Sequence, residues 1–151
     1  MSPIHNLARA IIVQDAYILL CWNPKFGTYL YLPGGHIEEG ESAAHALARE
    51  LKEETTFDFN VGDLLGIYEH SFTPEKTSKI CHTHEYNFIF SATSSKLSPP
   101  SPLPEPEKES VRFKWVLLKD LQKHTLYPDG ISALIPQFLK APPKNDYFLA
   151  K

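Results

Sequence analysis

The first third of the chain alternates between short apolar runs and polar or glycine-containing steps, a pattern typical of β-strands joined by turns. Residues 7–13 and 16–22 are rich in apolar, β-branched and aromatic side chains, and Gln14 and Asp15 separate them. This arrangement predicts a β-hairpin. Residues 29–32 predict another strand, and Pro33-Gly34-Gly35 should end it as a turn, because proline removes a hydrogen-bond donor from the sheet.

A helical period replaces the strand pattern after Ser42, whose hydroxyl is suited to cap a helix N-terminus. Residues 43–55 are mostly strong helix formers. Four apolar residues recur at the spacing of one helical face, namely Ala44, Leu47, Ala48 and Leu51. We expect that face to pack against a sheet.

The second half of the chain mixes strand and helix patterns. Strands are predicted at residues 61–72, 85–92 and 111–117, and helical segments at 118–123 and at 130–140, the latter perturbed near Pro136. Residues 73–83 read as a polar loop, and residues 94–108, which contain five prolines, as an extended surface loop. This irregular alternation predicts one α/β domain over residues 1–140, with a mixed sheet and helices on its faces, and a tail at 141–151.

The overall composition excludes several classes of protein. With 151 residues, 42% of them hydrophobic and 22% charged, the chain resembles one globular domain and not a disordered segment. Its net charge of −3 and scattered basic residues argue against binding to duplex nucleic acid. The longest apolar run, residues 16–22, is far shorter than the ~20 residues that cross a bilayer. Two cysteines without a CxxC pair, and an N-terminus without a signal-peptide pattern, favour a cytoplasmic protein.

Three carboxylates gather on one face of the predicted helix. Glu50, Glu53 and Glu54 follow one another at helical spacing and span an arc of about 100°. Like charges at this spacing destabilise a helix by about a few tenths of a kcal/mol each. A hard divalent cation, Mg²⁺ or Mn²⁺, would offset this repulsion and would also neutralise phosphate oxygens. The alternative is a solvated acidic face, and the triplet alone does not separate the two interpretations.

The residues around the triplet help to choose between a metal site and a solvated acidic face. Residues 35–57 read GHIEEGESAAHALARELKEETTF, and they follow the pattern GX5EX7REUXEEXGU, in which U is a bulky aliphatic residue. The positions in register are Gly35, Glu41, Arg49, Glu50, Leu51, Glu53 and Glu54. The chain therefore resembles the Nudix hydrolase family, and the resemblance continues through the preceding strand, the YLPGG turn and the later FKWVLLKDL segment.

The pattern is broken at Thr56, which replaces the usual glycine, and Phe57 takes the final apolar position as an aromatic residue. A β-branched residue adopts positive φ only with strain. We therefore expect a negative φ at Thr56 and a helix end that differs from the glycine-containing pattern.

The resemblance implies an α/β/α sandwich with a mixed β-sheet, and a metal-dependent reaction in which water attacks a phosphorus of a nucleoside diphosphate linked to another group. It also implies that Glu50, Glu53 and Glu54 bind the metal, Mg²⁺ or Mn²⁺, together with the backbone carbonyl of Gly34. The general base is not fixed in this family. We favour Glu50 or Glu53, and hold in reserve Glu109, in the acidic loop that also contains Glu105 and Glu107.

Glu41 and Arg49 would form a supporting pair by the same resemblance. Their opposite charges, two helical turns apart, agree with a role in which the guanidinium orients Glu50 or Glu53. An ordinary surface ion pair is the alternative.

Four residues are candidates for substrate binding: Arg9, Gly35, Glu85 and Glu109. Arg9 is a cation in an otherwise apolar strand, which suits a phosphate contact or a salt bridge at a strand edge. Glu85 ends a stretch similar to one that enters a strand in some Nudix sequences, so Glu85 or His84 should face the cleft unless both are polar rim residues. His82 and His84 do not favour zinc, because two further ligands are lacking.

Five aromatic side chains are candidates to stack on a base, with a place in the core as the alternative for each: Phe26, Tyr29, Tyr31, Phe72 and Tyr127.

Two functions of different classes fit these residues. One is a hydrolase, and the other is a binding or regulatory module of the same fold that has lost catalysis. A binding module has no need of three mutually repelling acids, so their retention favours the hydrolase. A third possibility, an unrelated α/β domain with a chance acidic helix, would require all the spacings of the pattern to be accidental. We expect a small nucleotide-like substrate, such as a nucleotide sugar like ADP-ribose or a nucleoside triphosphate. Dinucleoside polyphosphates and non-nucleotide diphosphates stay open, as does the oligomeric state, a homodimer included.

Overall fold

The computed structural model describes residues 3–73, 82–104 and 111–140. The strands are β1 (Ile4–Ile11), β2 (Val13–Gln14), β3 (Tyr17–Trp22), β4 (Gly34–His36), β5 (Asn60–Ser71), β6 (His84–Thr93) and β7 (Arg112–Leu117). The helices are α1 (Ala43–Thr55) and α2 (Ile131–Lys140), and a 3-10 helix covers Leu118–Lys123. No helix within the described ranges is both long and apolar enough to span a bilayer.

Two sheets form the centre of the molecule. The larger has the strand order β4-β1-β6-β5, with β1 and β6 parallel and the other neighbours antiparallel. The smaller has the order β2-β3-β7 and is antiparallel throughout. The predicted mixed α/β class is therefore confirmed.

Alternating side chains of the strands contribute to two separate apolar clusters. One contains Ala8, Ala10 and Phe90 of the sheet with Leu47 and Leu51 of α1. The other contains strand residues such as Ile11 and Ile89 with Ile131 and Ile135 of α2. Because neighbouring strand residues point to opposite faces, the two helices lie on opposite sides of the sheet. This is the expected α/β/α arrangement.

The predicted N-terminal hairpin forms later in the chain than expected. Asp15 and Ala16 occupy the turn, with φ of 51° and 66°, and the paired strands are the short β2 and β3. The longer apolar run before them belongs mainly to β1, which pairs with β4 and β6 in the other sheet. The prediction of one hairpin from residues 7–22 was wrong, because two sheets divide that apolar run between them.

The segment before α1 also differs from its prediction. Residues 29–32 form only two isolated bridges, Tyr31 with Cys21 and Leu30 with Leu126, and not a strand. Gly34 and Gly35, expected in a turn, instead begin β4 and pair with Arg9 and Ala8 of β1. Glycine is suited to this position because Gly34 has a φ of 135° and approaches the β1 backbone closely.

Helix α1 begins as predicted, since Ser42 Oγ accepts a hydrogen bond from the backbone N–H of His45 at 3.2 Å. Its buried face is rotated slightly from the predicted stripe. Leu47 and Leu51 are buried as expected, together with Ala43 and Ala46, whereas Ala44 and Ala48 are only partly buried.

The end of α1 contradicts the expectation for Thr56, which has a φ of 65° and a ψ of −3°. Its backbone N–H donates to Lys52 O at 2.9 Å, so the helix ends with the left-handed residue that glycine would normally provide. The chain then turns inward, where Phe57 and Phe59 pack against the α1 cluster. Tertiary packing at this point overrides the local preference of threonine.

The later elements agree well with the prediction. Strands β5, β6 and β7 occupy the three predicted strand segments, the 3-10 helix coincides with residues 118–123, and α2 contains Pro136. The predicted tail at 141–151 and the acidic segment with Glu105, Glu107 and Glu109 lie outside the described residues.

Candidate functional site

A cavity of about 860 Å³ lies on the α2 side of the larger sheet. Alternate residues of β1 and β6 form its floor, namely Leu7, Arg9, Glu85, Asn87 and Ile89. The register pairs Leu7 with Asn87 and Arg9 with Ile89, which brings Arg9 and Glu85 to the same face. All five aromatic candidates for base stacking also line the cavity: Phe26, Tyr29, Tyr31, Phe72 and Tyr127.

The carboxylates of α1 reach this cavity past β4, a three-residue edge strand that begins with two glycines. Glu50 and Glu54 line the cavity, whereas Glu53 is not among the lining residues and its side chain is 51% exposed. The structure thus brings the three predicted acids together on one helix face beside the cavity.

Glu54 is the most unusual of the three acids. Its Oε2 is buried and has no hydrogen-bond partner among the described residues. Burial raises the pKa of Glu54 to about 8, the Arg9 guanidinium acts in the opposite direction, and the charges of Glu50 and Glu53 raise it further. A buried carboxylate oxygen without a partner needs a cation or a proton to compensate its desolvation.

Arg49 holds the acids in place through a hydrogen-bonded network. Its guanidinium contacts both oxygens of Glu41, at 2.6 Å from Nη2 and 3.1 Å from Nε, and donates to Glu50 Oε1 at 3.0 Å. Glu53 lies 3.5 Å away, and Nη2 also donates to the backbone oxygen of His36 at 3.1 Å. The bidentate contact with Arg49 lowers the pKa of Glu41 to about 2. This fork binds α1 to the segment that precedes it.

Gly34 and Gly35 lie between this network and the sheet. The carbonyl oxygen of Gly34 accepts a hydrogen bond from Arg9 Nη1 at 3.1 Å. Gly35 lies against Glu50, where the β-carbon of any other residue would meet the carboxylate at 2.4 Å to 2.7 Å. Both glycines therefore permit contacts that a side chain would obstruct.

Arg9 lies on an interior strand, which excludes the salt bridge at a strand edge. Besides Gly34 O, it donates to Leu32 O at 3.2 Å, and its guanidinium carbon lies 5.5 Å from the centre of the Tyr31 ring. These contacts orient a partly buried cation along the cavity wall.

Glu85 faces the cavity and His84 does not, as the alternation of β6 requires. The Glu85 side chain is almost fully buried, and it contacts His82 Nε2 at 2.7 Å and Asn87 Nδ2 at 3.1 Å. His84 lies on the other face of the strand and contacts Glu69 at 2.8 Å.

A cluster of three histidines beside the cavity was not predicted. It consists of His5 on β1, His36 on β4 and His82 before β6. Burial, and the neighbouring histidines after it, lower the pKa of both His5 and His36. No sequence spacing could have revealed this cluster, because its members come from three distant segments that only strand pairing brings together.

Comparison with known proteins finds several that are similar to this chain in sequence. A Caenorhabditis elegans protein whose name places it among nudix hydrolases is 30% identical over 133 residues, covering 84% of this chain and 33% of that protein. The ADP-ribose pyrophosphatase of Methanocaldococcus jannaschii is 46% identical over 61 residues, covering 38% of this chain and 36% of that enzyme. This chain therefore spans about a third of the length of these curated relatives.

Solved structures and the family model point to the same family as these relatives. The solved structure of a Nudix hydrolase from Nitrosomonas europaea superimposes with a TM-score of 0.70 and 25% identity, covering 98% of each chain. The family model for the NUDIX domain matches residues 4–138, which include both sheets, both helices apart from the last two residues of α2, and the acidic face of α1. The chain therefore belongs to the Nudix domain family.

Proposed function

We propose that this chain is a hydrolase that uses Mg²⁺ or Mn²⁺ to cleave a phosphoanhydride bond in a nucleoside diphosphate linked to another group. The observation that carries this proposal is the buried Oε2 of Glu54, which has no partner in the described part of the chain and lies beside Glu50 at the cavity. A solvated acidic face, the alternative interpretation of the triplet, would leave all three carboxylates in water.

The donor set fits a hard divalent cation. Carboxylate oxygens from Glu50, Glu53 and Glu54 and the carbonyl oxygen of Gly34 are the oxygen ligands that Mg²⁺ prefers. Although Gly34 O accepts a hydrogen bond from Arg9, a carbonyl oxygen has a second lone pair. A cation held there would bridge and neutralise phosphate oxygens and so make the phosphorus a better target for water.

The remaining residues of the network position the reacting groups. Glu50 lines the cavity and is held by Arg49, which suits it to accept a proton from the attacking water, with Glu53 as the second candidate. Arg49 and Glu41 act on the reaction through Glu50 and Glu53, and are therefore positioning residues.

The cavity supplies the contacts for the substrate. Arg9 places a positive charge for the diphosphate, and the backbone of Gly35 lies beside Glu50, where the reacting phosphate would bind. Aromatic side chains such as Tyr29 and Tyr127 offer faces on which a base can stack. Glu85 would accept a hydrogen bond from the far part of the substrate. Glu109 stays a candidate for substrate binding and lies outside the described residues. The activity named for the M. jannaschii relative supports ADP-ribose as the first compound to test.

The experiment is a panel assay of nucleotide sugars, nucleoside triphosphates and dinucleoside polyphosphates with Mg²⁺, measuring released phosphate or nucleotide. Activity should vanish with a chelator and return with Mg²⁺ or Mn²⁺ but not with Ca²⁺ alone. Glu53→Gln and Glu54→Gln should each lower turnover by at least ~10²-fold with an intact fold. Glu69→Gln, on an exposed carboxylate of β5, is the matched control and should leave turnover unchanged.

The competing function is a binding module without catalysis. It would be favoured if every compound of the panel bound to the protein but none was hydrolysed. Equal turnover in wild type, Glu53→Gln and Glu54→Gln would instead mean that the acidic face has no part in the reaction.

A further inference from the structure

Strand pairing brings the three histidines of the cluster to one end of the larger sheet. His36 lies opposite Leu7 in the β4–β1 pairing, two residues from His5, and His5 lies opposite Glu85 in the β1–β6 pairing. His36 and His82 also line the cavity. Two members of the cluster, His5 and His36, therefore lie on paired strands, and His82 lies two residues before β6.

The geometry within the cluster suits a metal ion. The candidate ligand nitrogens all lie within 4.8 Å of one another, and His5 Nδ1 lies 2.7 Å from His36 Nε2. Nitrogens bound to a tetrahedral ion at ~2.0–2.1 Å lie about 3.4 Å apart. The rings of His5 and His82 are stacked with their centroids 4.2 Å apart, so at least one of the two must turn before three nitrogens point at one ion.

Glu85 provides the outer partner that metal-binding histidines usually have. Its Oε2 lies 2.7 Å from His82 Nε2. Asn87 in turn donates to Glu85 Oε1 at 3.1 Å, which fixes the buried carboxylate. A carboxylate in this position orients the imidazole and raises its basicity toward a metal.

We propose that His5, His36 and His82 form a binding site for a divalent transition metal ion, with Zn²⁺ as the simplest occupant, separate from the carboxylate site of α1. Imidazole nitrogen suits zinc, nickel, cobalt and copper, whereas Mg²⁺ prefers oxygen. Three histidines leave a fourth position for water or for an anionic oxygen from the cavity. This site does not depend on the proposed hydrolysis, because its ligands differ from those of the acidic face.

The test uses Co²⁺ as a visible probe of the full-length protein, in excess Mg²⁺ so that the oxygen site is already filled. We expect about one Co²⁺ to bind per chain with visible d–d bands typical of a low-coordinate nitrogen site, and Zn²⁺ to displace it. His36→Ala and His5→Gln should each weaken binding at least tenfold, and Glu85→Gln about 10- to 100-fold.

Two controls separate this site from other ligands. His84→Ala removes a histidine that contacts Glu69 on the opposite face, and it should leave Co²⁺ binding unchanged. The double variant Glu53→Gln, Glu54→Gln should also retain the bands. The proposal would be overturned if wild type showed no bands, if both His36→Ala and His5→Gln bound Co²⁺ as wild type does, or if the acidic double variant lost the ion. Circular dichroism of each variant shows whether it has folded.

Discussion

Gly35 and Glu50 are in such close contact that a β-carbon at position 35 would lie 2.4 Å from Cδ of Glu50. The obstructed atoms are the flexible end of a side chain, so an alanine there displaces the carboxylate without requiring the backbone to move. We expect Gly35→Ala to lower kcat by at least about tenfold, because Glu50 leaves its place beside Arg49. Steady-state kinetics with the best substrate of the panel would measure kcat, and a melting curve would show whether the variant is folded. Unchanged kcat would mean that the position of Glu50 does not matter for turnover.

At the neighbouring Gly34, the expected effect of an alanine is on the stability of the fold. A β-carbon at Gly34 would lie 2.0 Å from the backbone oxygen of Ala8, and the φ of 135° there strains any other residue. Gly34→Ala should therefore lower the free energy of unfolding by about 2 kcal/mol or more. Urea denaturation would measure it. A wild-type midpoint for this variant would indicate that β4 can separate from β1 at little cost.

Arg49→Lys tests the fork geometry of the guanidinium. Arg49 contacts Glu41 through two nitrogens and Glu50 through a third, and a lysine ammonium cannot reproduce this arrangement. We expect a fall in kcat of about 10- to 100-fold, larger than the change in KM, because the acids lose their orientation. Lys52→Met on the same helix removes only a surface contact with Asp58 and is the matched control. Equal kinetics of Arg49→Lys and wild type would contradict the positioning role.

The raised pKa of Glu54 predicts how stability depends on pH in protein freed of metal by a chelator. Between the ordinary value of 4.5 and about 8, the folded carboxyl keeps a proton that the unfolded chain releases. This contribution to stability is complete below pH 4.5 and is lost as the pH rises to about 8, by up to about 1.4 kcal/mol per pH unit. Unfolding curves across this window should show the decline in wild type but not in Glu54→Gln. Added Mg²⁺ should reverse it near pH 8, and parallel curves for both proteins would contradict the assignment.

Thr56→Gly should stabilise the protein. Threonine occupies a left-handed conformation at the end of α1, which costs a non-glycine residue about 1–2 kcal/mol. Glycine removes this strain but increases the entropy of the unfolded chain, so we expect a net gain of about 1 kcal/mol. Turnover should change less than about fivefold, since the acids lie upstream and Leu47 and Leu51 anchor them. Thr56→Ala keeps the strain and should match wild type in thermal unfolding, whereas a loss of stability in Thr56→Gly would refute the argument.

The sequence by itself determined the local elements and the acidic face. Ser42 and the alanine-rich segment predicted the start of α1, and the spacing of Glu50, Glu53 and Glu54 predicted their common face, because both depend on residues within a few helical turns. The pattern at residues 35–57 likewise indicated the family, since its characteristic residues all lie within one continuous segment. Interactions between near neighbours along a chain can be read directly from their order.

Tertiary structure decided whatever depends on pairing between distant segments. The sequence could not divide residues 4–14 between two sheets, since strand partners such as β6 are many residues away. It did not predict the left-handed Thr56, whose conformation follows from the packing of Phe57 and Phe59. The sequence also did not predict the burial of Glu54 or the cluster of three histidines. Both arise from the register of paired strands and the edge position of β4, which only the folded chain specifies.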